Sequence, residues 1–128
     1  MLEGCIMERL FPLVGCIFAL TSVVIGAFGA HFLSSRLNAT SLLTLETAVR
    51  YQMYHGLALF FVVYALGRWP GTVTLLPGWF FVAGTMLFSG SLYILVATGQ
   101  RWMGMITPIG GILLILGWLA LGLNLMKA

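Results

Sequence analysis

The stretch LFPLVGCIFALTSVVIGAFGA, residues 10–30, contains no charged side chain. An α-helix rises about 1.5 Å per residue, so about 20 apolar residues cross the hydrocarbon core of a bilayer. The sequence therefore predicts a membrane-spanning helix over residues 10–31. Pro12 is expected in the opening turn of this helix, where a missing N–H costs little.

Three further apolar segments follow, separated by short polar turns. The predicted spans are residues 42–67, 75–97 and 103–125. A cap at Thr40 and Ser41 is expected to begin the second helix, and Thr107 with Pro108 is expected to kink the fourth near its start. Because short connections make neighbouring helices antiparallel, we expect residues 1–128 to form a single all-α domain. Its predicted architecture is an integral membrane four-helix bundle that runs up, down, up, down.

The composition agrees with a lipid environment. Of the 128 residues, 61% are hydrophobic and 7% are charged, and the mean hydropathy is +1.08. A water-soluble domain of this size leaves too much surface exposed to hide so many apolar side chains. We therefore expect a multi-pass protein with the lipid bilayer as its solvent.

The basic side chains are scattered singly along the chain, at Arg9, Arg36, Arg50, Arg68, Arg101 and Lys127. Nucleic-acid binding needs a clustered basic patch, so no nucleic-acid partner is predicted. In an antiparallel bundle these charges fall equally on the two sides of the membrane, which is a tie under the positive-inside rule. Arg50 is counted on the side opposite the termini, and it carries less weight if it lies within a helix. The prediction therefore favours cytoplasmic termini.

Small side chains form one stripe along the first predicted span. They recur at steps of three and four residues, at Gly15, Ala19, Ser22, Gly26 and Gly29. Lipid provides no hydrophobic drive for helix association, so close backbone approach along such a stripe is a main source of packing energy. We expect this stripe to pack against another helix, and Gly111 to serve the same purpose in the fourth span.

Polar groups enter the second predicted span over residues 46–55, ETAVRYQMYH. Glu46 and Arg50 are spaced i, i+4 and are expected to form an ion pair, and Tyr51 and His55 repeat the spacing on the adjacent face. Ionisable groups at membrane depth are costly and often mark function. Two interpretations stay open: a pair in the headgroup region with a structural role, or a path through a small transporter or proton-coupled channel.

Two histidines are predicted on the same side of the membrane. His31 ends the first span and His55 lies early in the second, so an antiparallel hairpin carries both to one side. Such a pair could ligate a haem iron or share a proton relay. A haem- or quinone-associated redox subunit is therefore a further alternative, although no third ligand is evident. We predict no metal site and no cofactor.

Hydroxyl groups occur on the last two spans at Ser89, Ser91, Tyr93 and Thr107. They are expected to bond helix backbones or each other. Glu46 is the only acidic residue beyond the N-terminal segment, so the sequence offers neither paired carboxylates nor a Ser–His–Asp set. No catalytic residue is assigned, and the protein is predicted not to be an enzyme.

Four motifs occur in order along the chain: GAFGAH at 26–31, YQMYH at 51–55, LFSGSLY at 87–93 and TPIGG at 107–111, with a Gly-Trp pair at 117–118. Together they resemble the YgdD/YwdK family of small inner-membrane proteins, which have four spans and an uncharacterised biochemical function. The resemblance implies a cell inner-membrane location and makes Met7 the expected initiator. It also marks as motif positions His31, Tyr51, Gln52, His55, Ser89, Ser91, Tyr93 and Thr107.

The sequence thus predicts a polytopic inner-membrane protein that acts as a non-enzymatic membrane component or accessory subunit. Its expected partners are lipid and either another membrane protein or further copies of itself. Transport through the Glu46, Arg50 and His55 cluster and redox association remain the alternatives.

Overall fold

A computed structural model describes residues 2–128, apart from the side chain of Ala30; Met1, the alternative to Met7 as first residue, lies outside this range. Over these residues the chain is helical and contains no strand, which confirms the predicted all-α class. The helices are α1 (Leu2–Val24), α2 (Ala30–Leu33), α3 (Ala39–Arg68), α4 (Leu76–Thr98) and α5 (Thr107–Met126). A π-helical turn, Ile25–Gly29, joins α1 to α2, and a 3₁₀ turn, Arg101–Met105, precedes α5.

Within the described residues, three helical stretches are long and apolar enough to cross a membrane. They are Leu2–Leu33, Leu76–Thr98 and Arg101–Met126. The remaining long helix, α3, has 30 residues, but the polar segment 46–55 lies in its first half. This segment makes α3 less apolar than the other long helices. Its polar side chains must therefore be covered by neighbouring helices.

The first helix begins earlier than expected. It starts at Leu2, so Pro12 lies inside α1 and not in an opening turn. Glu3 lies in the first turn, where its negative charge interacts favourably with the helix dipole and supports the early start. Pro12 removes one backbone hydrogen bond, a loss that membrane helices tolerate where neighbouring helices pack closely.

Two other helix starts also differ from expectation. The N-cap of α3 is Asn38, not Thr40 or Ser41, and its side-chain oxygen accepts a hydrogen bond from the Ser41 N–H at 2.8 Å. Asparagine is among the best N-cap residues. Pro108 lies in the first turn of α5, so it opens the helix where its fixed φ is favourable and does not kink it.

The helices pack in the order α1 on α3, α3 on α4 and α4 on α5. They share one core, which is made of Phe11, Ala58, Leu59, Val62, Ala65, Val73, Phe81, Leu114 and Leu121. Glycines let the backbones approach: a Cβ on Gly15 would lie 2.7 Å from the Gly56 carbonyl oxygen, and one on Gly84 would lie 3.0 Å from the Leu114 nitrogen. Large apolar side chains cover the outer surface, as a lipid-facing surface requires.

Candidate functional site

The Glu46–Arg50 ion pair forms on the outer surface of α3. Arg50 Nη2 donates to Glu46 Oε1 at 2.5 Å, and the two side chains are 51% and 60% exposed respectively. The pair therefore does not point into the helix packing. An exposed i, i+4 pair of this kind contributes little stability, about 0.3–0.5 kcal/mol.

Gln52 joins three helices. Its Nε2 donates to the Phe18 carbonyl oxygen at 2.9 Å and to Thr21 Oγ1, both on α1, and its Oε1 accepts from the Tyr93 hydroxyl on α4 at 2.7 Å. The Gln52 side chain is buried, and these bonds satisfy both ends of its amide. A buried amide without such partners would be strongly unfavourable, so this residue fastens α1, α3 and α4 together.

Hydroxyl groups make further links between helices. Ser89 Oγ on α4 donates to the Ala48 carbonyl oxygen on α3 at 2.7 Å. Ser91 Oγ on α4 lies 2.6 Å from Thr107 Oγ1 at the start of α5, and Ser91 also donates to the Phe88 carbonyl oxygen of its own helix at 2.9 Å. These hydroxyls therefore tie α4 to both of its neighbours.

His55 is buried and both of its ring nitrogens are engaged. Nδ1 lies 2.6 Å from the Tyr51 carbonyl oxygen, and Nε2 lies 3.0 Å from Nε1 of Trp118 on α5. The indole N–H can only donate, so Nε2 is the acceptor and Nδ1 carries the proton donated to the carbonyl oxygen. The imidazole in this arrangement is neutral and connects α3 to α5.

Aromatic rings surround His55. The Tyr51 ring lies 4.6 Å from the Phe88 ring, and the Phe81 ring lies 4.8 Å from the Trp118 ring, measured between centroids. The rings of Tyr51, Phe88 and Trp118 border a cavity of about 470 Å³ between α3 and α5, whose lining also includes Tyr54, Gly111, Leu114 and Ile115. The lining is apolar and aromatic, and His55 supplies its one imidazole.

The structure does not bring His31 to His55. A Cβ on Gly26 would lie 3.2 Å from Val49 Cγ1, which sets the pairing of the first helical stretch with α3. The two helical stretches are antiparallel, so residues that follow Gly26 lie beside residues that precede Val49. His31 therefore lies beside the first turns of α3, roughly 16 Å along the axis of α3 from His55. His31 is also exposed. The two imidazoles therefore do not form an axial pair for one haem iron in this arrangement.

The small-residue stripe divides into two parts. Gly15 and Ala19 lie along the contact between α1 and α3, Gly26 in the π-helical turn continues this contact, and Ser22 is buried on α1. A Cβ on Gly29 would meet only Ile25 of its own helical turn, so Gly29 does not mediate an interhelical contact. Gly111, predicted as a packing residue, leaves ordinary contact distance to Phe88: a Cβ there would lie 3.7 Å from Cδ2.

Two hydrogen-bond partners of the central polar residues were not predicted from the sequence. Trp118 was part of a motif but was not assigned as the partner of His55, and Thr21 was not assigned as a partner of Gln52. No local spacing connects these pairs, because 63 and 31 residues separate them.

Among the described residues, the buried hydroxyls of Ser22 and Thr85 have no hydrogen-bond partner.

Groups of histidine, cysteine and acidic side chains suited to a metal ion are absent from residues 2–128. Cys5 and Cys16 are both exposed and are not disulfide-bonded. The arrangement at the centre of the molecule is therefore one of neutral hydrogen bonds and aromatic contacts. Groups of this kind hold helices in register and bind apolar or aromatic surfaces.

These features define the class as an all-helical membrane protein with a buried, neutral polar centre. The chain belongs to the family described as "Protein of unknown function (DUF423)", which matches residues 25–111.

Known relatives agree with that assignment. The chain is 45% identical to the UPF0382 membrane protein of Staphylococcus saprophyticus over 122 residues, covering 93% of this chain and 98% of the relative. It is 46% identical to a UPF0382 membrane protein of Staphylococcus aureus over 116 residues, covering 88% and 92%. It is 40% identical to the UPF0382 membrane protein YwdK of Bacillus subtilis over 120 residues, covering 93% and 98%. The predicted family resemblance is confirmed, and no solved structure matches the chain.

Proposed function

We propose that this protein is a non-enzymatic component of the cell inner membrane that serves as an accessory subunit of a membrane assembly. The supporting observation is that four of the central polar side chains bond other helices of the same chain. Gln52, His55, Ser89 and Tyr93 each have such a bond. Groups committed to structural bonds are poorly suited to reacting with or transporting a substrate, so the chain acts through its surface.

The proposed arrangement in the membrane has four spans that run up, down, up, down, with both termini on the cytoplasmic side. The contacts between neighbouring helices support it, because residue numbers fall on one helix as they rise on the other. Gly15 lies against Gly56 and Gly26 against Val49, while Gly84 lies against Leu114 and Gly117 against Phe81. In this arrangement α3 also spans, since its polar side chains Gln52 and His55 are buried against its neighbours.

The transport alternative has less structural support than the accessory role. A proton path needs a side chain that can accept and release a proton, and both nitrogens of His55 are engaged. Glu46 and Arg50 are paired on the outer surface and do not line an interior path with His55. The redox alternative is similarly weakened by the separation of His31 from His55.

The accessory role is tested by assaying the purified protein alone in liposomes. We expect proton and ion flux no greater than in protein-free liposomes, and a visible spectrum without a haem band. Robust flux that disappears in both Glu46→Gln and His55→Ala, with folding intact, would replace the accessory role with transport.

The proposed topology is tested separately by labelling single cysteines with a membrane-impermeant maleimide. In a chain that lacks Cys5 and Cys16, Ser35→Cys and Gln100→Cys should react from the same side of the membrane. Thr72→Cys should react only from the opposite side. Labelling of all three positions from one side would contradict the four-span arrangement.

A further inference from the structure

A groove of about 620 Å³ lies between the end of the first helical stretch and the start of α3. Its lining includes Gly26, Leu42, Leu43, Glu46 and Val49. Gly26 leaves room here, since a Cβ at this position would lie 3.2 Å from Val49 Cγ1. The groove is thus mostly apolar and carries one carboxylate, which is an amphipathic combination.

The depth of this groove follows from the opposite end of α3. Arg68 ends the helix and its guanidinium lies 5.6 Å from the centroid of the Trp69 ring. Tryptophan and arginine are typical anchors at the membrane interface. A hydrocarbon core about 30 Å thick corresponds to roughly 20 helical residues. Counting back from Arg68 reaches Ala48, so Glu46 and Arg50 lie at the boundary between hydrocarbon and headgroups.

Both signs of charge are available at this boundary. Arg50 Nη2 bonds Glu46 Oε1, yet more than half of each side chain remains exposed. A phospholipid phosphate is a good acceptor for a guanidinium, and a primary ammonium is a good donor to a carboxylate, since charge-assisted hydrogen bonds are the strong ones. The exposed pair is weak, so a headgroup can exchange for it at little cost.

Apolar side chains beyond the boundary also need cover. Leu43 is 64% exposed, and Leu42 lies in the groove on the headgroup side of Glu46. Water would leave these side chains unfavourably exposed. The methylene groups of a lipid headgroup would cover them, while the glycerol and upper acyl region would lie beside Val49 and continue into the hydrocarbon.

We propose that this groove binds one phospholipid with a zwitterionic headgroup that carries a primary ammonium. Arg50, which is paired with Glu46 at the edge of the groove, bonds the phosphate; Glu46 bonds the ammonium, and Gly26 and Val49 contact the glycerol and upper acyl region. The site is independent of the accessory role, because it requires only the chain and a lipid.

Native mass spectrometry of the purified protein with three lipids of identical acyl chains tests the site. The lipids are phosphatidylethanolamine, phosphatidylcholine and phosphatidylglycerol. Only the first has N–H donors for Glu46, so we expect its retention to exceed that of the other two about threefold, as one partly exposed charge-assisted bond supports. Equal retention of the three lipids by the wild-type chain would overturn the proposal.

Two variants and a matched control assign the preference to the pair. Glu46→Gln should abolish the preference for phosphatidylethanolamine over phosphatidylcholine, and Arg50→Gln should lower the retention of all three lipids. Arg101→Gln removes an exposed cation on the same proposed side and should change nothing. A Glu46→Gln chain that keeps the wild-type preference, or an Arg101→Gln chain that loses it, would show that the groove is not the binding site.

Discussion

Replacing Gln52 by leucine tests the contribution of the buried polar centre to stability. The substitution keeps the side chain similar in size and removes three hydrogen bonds, to Phe18, Thr21 and Tyr93. Interhelical hydrogen bonds in membrane proteins contribute about 0.6 kcal/mol each, so their loss corresponds to about 2 kcal/mol. Thr21 keeps its bond to the Ile17 carbonyl oxygen at 2.8 Å, which leaves the Tyr93 hydroxyl as the main unpaired group.

A double-mutant cycle with Tyr93→Phe separates the bond from general damage. Tyr93→Phe alone should lower the free energy of unfolding by about 0.6 kcal/mol. The double variant should be about as stable as Gln52→Leu, because the bond between the two side chains is already lost in the single variant. Reversible unfolding in mixed micelles with increasing dodecyl sulfate measures these free energies.

Tyr64→Phe is the matched control for this cycle. The Tyr64 side chain is 60% exposed, so removing its hydroxyl should leave the stability unchanged. Additive effects of Gln52→Leu and Tyr93→Phe, or a loss below about 0.5 kcal/mol for Gln52→Leu, would show that the hydrogen bonds of Gln52 do not stabilise the packed helices.

The remaining predictions concern helix packing and the His55 contact, with unfolding in mixed micelles as the common measurement. Gly15→Leu should lower the free energy of unfolding by at least about 1–3 kcal/mol, since its Cβ would lie 2.7 Å from the Gly56 carbonyl oxygen. Gly90→Ala, where nothing lies within 4 Å of the added Cβ, should have no such effect. Trp118→Phe keeps a ring beside His55 and removes the N–H donor, so we expect a loss of about 0.6 kcal/mol that does not recur when the histidine is already alanine. Similar losses for both glycine variants, or full additivity at the histidine, would contradict these two predictions.

The fold class could be predicted from the sequence because the signal is local. Residues 10–30 are long and apolar enough that their helical state follows from the cost of unpaired backbone groups in lipid. The stripe of small residues likewise follows from helical periodicity, and Gly15 and Gly26 lie at the contact with α3. The polar segment of α3 was also evident, since Gln52 and His55 interrupt an apolar run.

What the polar segment contacts could not be predicted, because the partners are distant in sequence. Trp118 meets His55 and Tyr93 meets Gln52 only after the helices have packed. His31 and His55 were expected to lie close together because both fall on the same side of the membrane. A shared side does not determine how far along its helix each residue lies. The register of α1 on α3 separates the two residues by several turns.

Backbone details were missed for a related reason. The π-helical turn Ile25–Gly29 contains two glycines and an alanine, a composition that is also compatible with an ordinary α-helix. Pro12 was expected to open a helix, as proline often does. The residues before it instead extend α1 to Leu2, and no local rule distinguishes the two outcomes.

The proposed role of this protein is that of an accessory subunit. Native mass spectrometry of the protein extracted gently from its own membrane tests this most directly, because it records every protein, lipid and cofactor that stays bound. We expect a second membrane protein in fixed stoichiometry with this chain. A bare monomer or a homo-oligomer, together with robust flux when the same material is placed in liposomes, would contradict it.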